Sequence, residues 1–134
     1  MKPHRPTEWN AGFTLVELMI TTAMVAILAT LAVPLWHDMR ERGFVAVMQA
    51  DLRNLAVTQE SFFFDNEYYA SEVNDLVNKG FVGSAAVQYA ISEATRTGWS
   101  ATVSHPGTTQ RCYLFVGFAA PVGSATRNGV IDCG

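Results

Sequence analysis

The first third of the chain carries one long apolar run. It begins at Phe13, contains a single carboxylate at Glu17, and has no charged side chain at all from residue 18 to residue 36. As a helix rising about 1.5 Å per residue, the uncharged stretch would extend roughly 28 Å, close to the hydrocarbon thickness of a bilayer. We therefore expect this segment to lie in a membrane or inside an assembly. An unpaired carboxylate is costly in either place, so Glu17 needs a partner.

Apolar positions continue at a helical step beyond this run, to about residue 64. The charged side chains fall mostly between these positions. The apolar residues recur every three or four residues: Phe44, Val47, Met48, Leu52, Leu55 and Ala56. Such a stripe predicts an amphipathic half of the same helix, with its apolar side covered by a globular head. Gly43 interrupts this half and predicts a local soft spot.

Pro34 lies inside the apolar part of the predicted helix. Its ring nitrogen cannot donate to the carbonyl of Thr30, so we expect a kink or a local opening there. Threonine hydroxyls can cover freed carbonyls in an apolar setting, and three are present: Thr21, Thr22 and Thr30.

After Asp65 the pattern changes from a helical step to alternation. An oxygen-rich segment predicts a connection with a short helix near residues 71–78. Alternating apolar residues then predict three strands, around 87–91, 99–103 and 112–118, and a short fourth strand near Val130. The pairs Thr97-Gly98 and Pro106-Gly107 predict turns, which favours an antiparallel meander. The expected class is α+β, a long N-terminal helix packed on a small antiparallel sheet.

Composition and charge argue against several classes of function. The chain has 134 residues and a net charge of −3, and its lysines and arginines form no cluster, so we expect no direct binding of nucleic acid. His4, His37 and His105 lack metal-ligand spacing, and no nucleophile, base and orienting set is present. We expect no cofactor and no enzymatic activity. The oxygen-rich segment lacks the EF-hand pattern and reads as a solvated loop rather than a calcium site.

Two ordinary explanations of an N-terminal apolar run fit less well. A secretory signal would be shorter and would end at a small-residue cleavage site, and the stretch LAVPLWHD offers none. A simple membrane anchor fits the length but leaves Glu17 unexplained. Lys2, His4 and Arg5 precede the run and favour a cytoplasmic N-terminus, although Arg40 and Arg42 follow it.

The stretch GFTLVELM, residues 12–19, resembles the processing site of type IV prepilins: a short hydrophilic leader ending in glycine, then phenylalanine, then glutamate as the fifth residue of the product. The resemblance implies that a prepilin peptidase cuts between Gly12 and Phe13 and that the new amine of Phe13 is methylated. Pro34 also matches the family, whereas Ala26 stands where many relatives have glycine. The likeness is strong over residues 12 to about 64 and beyond them rests on architecture and two cysteines.

The resemblance further implies four regions: a leader at 1–12, a transmembrane and assembly segment at 13–36, an amphipathic half-helix at 37–64 and a head at 65–134. The expected function is that of a structural pilus subunit, held in the inner membrane and then stacked by the assembly machinery into an extracellular homopolymer. Glu17 would there meet the Phe13 amine of a neighbouring subunit, and Pro34 would let the helix adjust. Adhesion, motility and uptake are the family's usual roles. Glu17 simply reaching the membrane interface is the alternative reading.

Cys112 and Cys133 are most simply one disulfide if this part of the chain is exported. Their loop of some twenty residues would contribute about 3 kcal/mol in the chain-entropy model. Two rival functions stay open: a pseudopilin of a type II secretion or DNA-uptake system, and a minor pilin that binds a ligand at the fibre tip.

Overall fold

The computed structural model describes residues 12–134, and of Pro34 only the backbone. Residues 1–11, which hold nearly all of the expected leader, lie outside the described residues. The chain divides into two compact units, Met1–His37 and Asp38–Gly134. The first helix, α1, extends from Leu15 to Asn66 and contributes to both.

The described part of the first unit is helical from Leu15 onward, and every side chain described in it is exposed. Its window of high hydropathy is long and apolar enough to cross a membrane, and none of that window is buried by other parts of the chain. The unit therefore needs lipid or another molecule to cover its apolar surface.

The second unit packs the rest of α1 with a short helix and a sheet. The helix α2 covers Val73–Asn78, and the strands are β1 (Gln88–Ala94), β2 (Gly98–Ser104), β3 (Arg111–Gly117) and β4 (Asp132–Cys133). All neighbouring strands are antiparallel, in the order β1-β2-β3-β4. The α+β class and the antiparallel meander expected from the alternating pattern are both confirmed.

The core lies between one face of α1 and one face of the sheet. Met48, Leu52 and Leu55 of α1 are fully buried there, together with buried residues of β2 and β3: Trp99, Ala101, Val103, Cys112 and Leu114. The period-two alternation of the strands and the three-to-four step of the helix bring these side chains together. Val47, expected in the covered stripe, is instead 38% exposed, because it lies about 100° around the helix from Met48.

Two polar side chains of α1 are buried in the stripe and are hydrogen-bonded there. The Gln59 amide donates to the Ala70 carbonyl and accepts from the Ala70 N–H, both at 2.9 Å. The Asp51 carboxylate accepts from the Ser84 N–H at 3.1 Å, the Ser84 hydroxyl at 3.0 Å and the Tyr89 hydroxyl at 2.6 Å. Burial raises the pKa of Tyr89, and the bond to Asp51 raises it further. These bonds tie the connection between α1 and β1 to the helix.

Element ends differ from the expected ones for local reasons. Phe118, expected in the third strand, lies outside β3, because Gly117 at φ +70° turns the chain away from the sheet. The fourth strand is β4 at 132–133 rather than near Val130, since Cys133 pairs directly with Cys112. The helix α1 extends to Asn66, two residues past its expected end, and Gly98 begins β2 rather than sitting in the turn.

The expected weak points at Pro34 and Gly43 do not interrupt α1, which is helical at both positions. The threonine hydroxyls form hydrogen bonds, but to carbonyls other than the one Pro34 frees at Thr30. Their acceptors in the described chain are the carbonyls of residues 17, 18, 19 and 27. Threonine bonding back to the preceding turn explains this choice.

Candidate functional site

The expected cleavage site lies in open backbone before α1. Gly12, Phe13 and Thr14 are non-helical and exposed, and among residues 12–134 no atom beyond the chain neighbours lies within 4 Å of a Cβ placed on Gly12. A non-helical segment at the surface is where a peptide bond is most accessible to a peptidase. None of residues 14–134 therefore covers the bond between Gly12 and Phe13.

Thr14 caps the helix, a role that the sequence analysis missed. Its hydroxyl accepts the backbone N–H of Glu17 at 3.2 Å. A threonine followed three residues later by glutamate is the spacing of a capping box, so the sequence did contain this signal. The cap fixes where α1 begins and places Glu17 in its first turn.

Glu17 is the only carboxylate in the apolar part of α1, and its position has two electrostatic consequences. A negative charge in the first turn interacts favourably with the helix dipole. Among residues 12–134, however, no basic side chain forms an ion pair with it, the one ion pair described being that of Lys79 with Asp65. The structure thus places Glu17 on an exposed apolar surface without a counter-charge from the described chain.

The threonine hydroxyls of this surface are satisfied within the helix. The hydroxyls of Thr21 and Thr22 donate to carbonyls one turn earlier at 2.9 to 3.0 Å, and that of Thr30 donates to the Ile27 carbonyl at 2.7 Å. Such bonds let threonine sit in lipid or against another helix without an unpaired donor. Glu17 is the one acidic side chain among residues 13–36, and it has no ion pair within the described part of the chain.

The two cysteines form the expected disulfide. Cys112 on β3 and Cys133 on β4 are bonded and face each other across the strands. The neighbouring Arg111 and Gly134 exchange both backbone hydrogen bonds, at 3.1 and 3.0 Å. Gln49 of α1 donates to the Cys133 sulfur at 3.5 Å. The bridge therefore fixes the end of the chain to the sheet and to the helix at once.

The other side chains that could carry chemistry, His105 and Asp65, make structural contacts. The His105 ring stacks on Phe44 at 4.3 Å, and its Nδ1 accepts the Gly107 N–H at 2.9 Å. Asp65, at the start of the oxygen-rich segment, pairs with Lys79. Within residues 12–134, no group of three or more histidine, cysteine, aspartate or glutamate side chains is arranged to hold a metal.

Comparison with known proteins points to the same end of the chain. The family model for the prokaryotic N-terminal methylation motif matches residues 10–33. The type IV wide pilus major component PilA4 of Thermus thermophilus is 33% identical over 99 residues, which is 73% of this chain and 76% of that protein.

Two further relatives share less of their length. The type IV major pilin protein PilA of Myxococcus xanthus is 31% identical over 98 residues, 73% of this chain but only 43% of that protein. The type II secretion system core protein G of Pseudomonas aeruginosa is 33% identical over 62 residues, 46% of this chain and 44% of that protein. The chain thus spans less than half of the Myxococcus and Pseudomonas proteins.

Proposed function

This chain belongs to the type IV pilin family, and from that premise we propose that it is a structural subunit of a type IV pilus. The observation that carries the proposal is the state of the assembly segment, residues 13–36: its described side chains are all exposed, and its one carboxylate has no ion pair within residues 12–134. A membrane can cover such a surface before assembly. Sister helices can cover it afterwards and can also supply the missing charge.

Processing would come first in this sequence of events. A prepilin peptidase would cut between Gly12 and Phe13, where the backbone is non-helical and uncovered. The new amine on Phe13 would carry a positive charge near neutral pH, its reference pKa being about 8. Phe13 would then be methylated and would form the tip of the assembly segment.

Assembly would join the Phe13 amine of one subunit to the Glu17 carboxylate of the next. Phe13 and Glu17 are four residues apart, so one subunit can partly offset its own charges, but a stack of subunits can pair them at every step. Loss of one member of such a buried pair costs about 3 to 5 kcal/mol. The subunit would leave the inner membrane with the help of assembly machinery and become part of an extracellular fibre.

The proposed role is structural rather than catalytic, in keeping with relatives named as pilus components. The second compact unit, Asp38–Gly134, which we call the head from here on, would be displayed on the fibre, with the disulfide holding its last segment in place. The pseudopilin alternative draws on the match to core protein G, which covers less than half of either chain. Abundant long extracellular fibres would reject it, and dominance of this chain in purified fibres would reject a role confined to the tip.

Mass spectrometry of the chain recovered from sheared fibres tests the proposal. We expect a mature protein that starts at Phe13 and carries one methyl group on its amine. Gly12→Val should leave the leader in place, because a peptidase that requires a small residue before the bond would not accept valine. Gly43→Ala is the matched control, since that glycine also has open space around it and should be processed normally. A fibre protein that starts at Met1 would overturn the proposal.

A further inference from the structure

A shallow groove with a mixed polar and apolar lining lies on the head beside α1. It has a volume of about 310 Å³ and is lined by Asn54, Val57, Thr58, Gly80, Phe81 and Val82. Val57 is 70% exposed and Val82 is 81% exposed, whereas Phe81 beneath them is buried. We call this feature the Val57–Val82 groove. Its volume is at the low end of ligand sites, about 300 Å³, and its two valines are left to solvent.

The wall of the groove is held in one conformation. Gly80 has φ +105°, which favours glycine, and a Cβ on Gly83 would collide with the Tyr89 ring and hydroxyl. The next residue, Ser84, donates twice to the buried Asp51 carboxylate of α1. A groove fixed in this way binds a side chain without a further ordering cost.

Whereas the groove is a depression, Phe118 is an apolar side chain that protrudes from the head. It is 89% exposed, although the turn that carries it is fixed on both sides. Its own N–H donates to the Thr97 carbonyl at 3.0 Å, and the Ala120 N–H donates to the Glu93 carboxylate at 2.9 Å. Ala119 between them is buried. The chain therefore presents a phenylalanine from a rigid turn, which we call the Phe118 knob.

Charged side chains of both signs flank the groove and the knob. On α1, Arg53 and Glu60 are seven residues apart, roughly 10 Å along the helix, with Val57 between them. Beside the knob, Glu93 lies near the end of β1 and accepts the Ala120 N–H, and Arg96 lies in the turn that follows. Each pair has one positive and one negative member, so the two sites can pair their charges in one relative orientation.

That orientation is the parallel one. The Thr95 carbonyl accepts the Tyr69 N–H at 3.0 Å, which places the β1–β2 turn at the end of the head where α1 ends. Arg96 therefore lies nearer that end than Glu93, as Glu60 lies nearer it than Arg53. In two copies with parallel helices, Arg96 would face Glu60 and Glu93 would face Arg53.

We propose that the Phe118 knob of one subunit inserts into the Val57–Val82 groove of a second copy. The inference rests on the proposed function, because a pilus fibre supplies neighbouring copies with parallel helices. Knob and groove are different patches of one head, so the contact is heterologous and can repeat without closing into a dimer. The partner of this surface is thus the chain itself.

Cross-linking in intact fibres tests the contact. Fibres of the full chain carrying Val82→Cys and Phe118→Cys would be treated with a short bis-maleimide, while Cys112 and Cys133 stay protected in their disulfide. We expect a ladder of covalent multimers on a denaturing gel, and monomers from either single variant. Val77→Cys with Phe118→Cys is the matched control, since Val77 is 52% exposed on α2 outside the groove. Fibres that give no ladder, or as much from the control, would overturn the inference.

A second variant keeps the test decisive if the cysteine pair prevents assembly. Phe118→Ala should leave the thermal unfolding of the head unchanged, because Phe118 is exposed in the single chain. It should lower fibre yield at limiting subunit concentration by roughly tenfold or more, as expected for an aromatic anchor at an interface. An unchanged yield would also overturn the inference. A wild-type chain that forms no fibre would instead overturn the proposed function, so the two failures are distinguishable.

Discussion

Leu28 and Leu52 are two leucines of the same helix, yet Leu28 is 67% exposed and Leu52 is fully buried. The difference lies in their neighbours rather than in the helix. The sheet covers Leu52, whereas no part of the described chain buries any described side chain before Asp38. The head is thus stable through its own packing, and the assembly segment depends on what surrounds it.

The carboxylates of the two regions differ in the same way. Asp51 is buried in the head and accepts three hydrogen bonds from Ser84 and Tyr89. Glu17 lies on the exposed apolar surface and forms no ion pair in the described residues. A buried acid needs partners within the fold, whereas the position of Glu17 on an apolar surface without them supports the proposed pairing with another subunit.

The largest effect is expected from Glu17→Gln. Because removal of one charge from a buried pair costs about 3 to 5 kcal/mol, fibre yield should fall by roughly a hundredfold or more, measured by electron microscopy and by protein sheared from cells. Processing and the thermal unfolding of the head should not change. Glu72→Gln is the control, since that exposed residue at the start of α2 makes no capping bond with its side chain. Normal fibres from Glu17→Gln would contradict the claim that the Glu17 charge serves assembly whereas the Asp51 charge serves the fold.

The two leucines provide the next comparison. Leu52→Ala should lower the free energy of unfolding of the head by about 2 to 5 kcal/mol, because it leaves a cavity in a closed core. Leu28→Ala should change that free energy by less than about 0.5 kcal/mol. Chemical unfolding of the full chain in detergent micelles, followed by near-ultraviolet circular dichroism, measures both. Equal losses would show that the units are not independent in stability.

Removal of the disulfide should affect the head alone. Replacing Cys112 and Cys133 by serine should lower stability by about 3 kcal/mol. For a domain of this size the melting temperature should fall by roughly 12 to 24 °C. Reduction of the wild-type chain should give the same fall, whereas extraction of the chain with membranes should be unaltered. An unchanged melting temperature would mean that the bridge adds nothing to the fold.

The smallest effect concerns pH. Burial raises the pKa of Tyr69 and of Tyr89, and hydrogen bonds to Glu60 and Asp51 raise them further, so the fold favours the neutral phenols. This contribution is present below the unfolded pKa of about 10 and is lost as pH rises above it. Urea unfolding from pH 8 to pH 11 should therefore show falling stability of the head.

Tyr89→Phe should reduce that alkaline fall and should also lower stability at pH 7 by about 1 to 3 kcal/mol, because Asp51 loses a donor. Tyr68→Phe is the control, since Tyr68 is exposed and should leave both quantities unchanged. If the stability of Tyr89→Phe fell with rising pH as much as that of the wild type, the loss of stability would come from other titrating groups.

Local patterns were enough to predict the long helix, the antiparallel meander and the disulfide. Periodicity carries this information directly, since a buried face repeats at the step of the element. It does not report how wide the covered face is, which is why Val47 was expected to be buried while Asp51 and Gln59 were not. Their burial depends on partners at Tyr89, Ser84 and Ala70, far along the chain.

In the candidate site, too, some features follow from local sequence patterns and others depend on contacts between distant residues. Glu17 stood out because a charge in an apolar run needs an explanation, and Thr14 could have been found from the capping spacing. The Phe118 knob could not, because alternation placed Phe118 in a strand that the left-handed Gly117 ends one residue earlier. The groove likewise brings together residues of α1 and of the segment after α2, which no local pattern links.

The most direct measurement is the distance between charges in the assembled fibre, read from a helical reconstruction by electron cryomicroscopy. We expect each Glu17 carboxylate to lie within about 4 Å of the Phe13 amine of a neighbouring subunit, the range of an ion pair. A map in which Glu17 lies far from every neighbouring amine, facing lipid or solvent, would contradict the account.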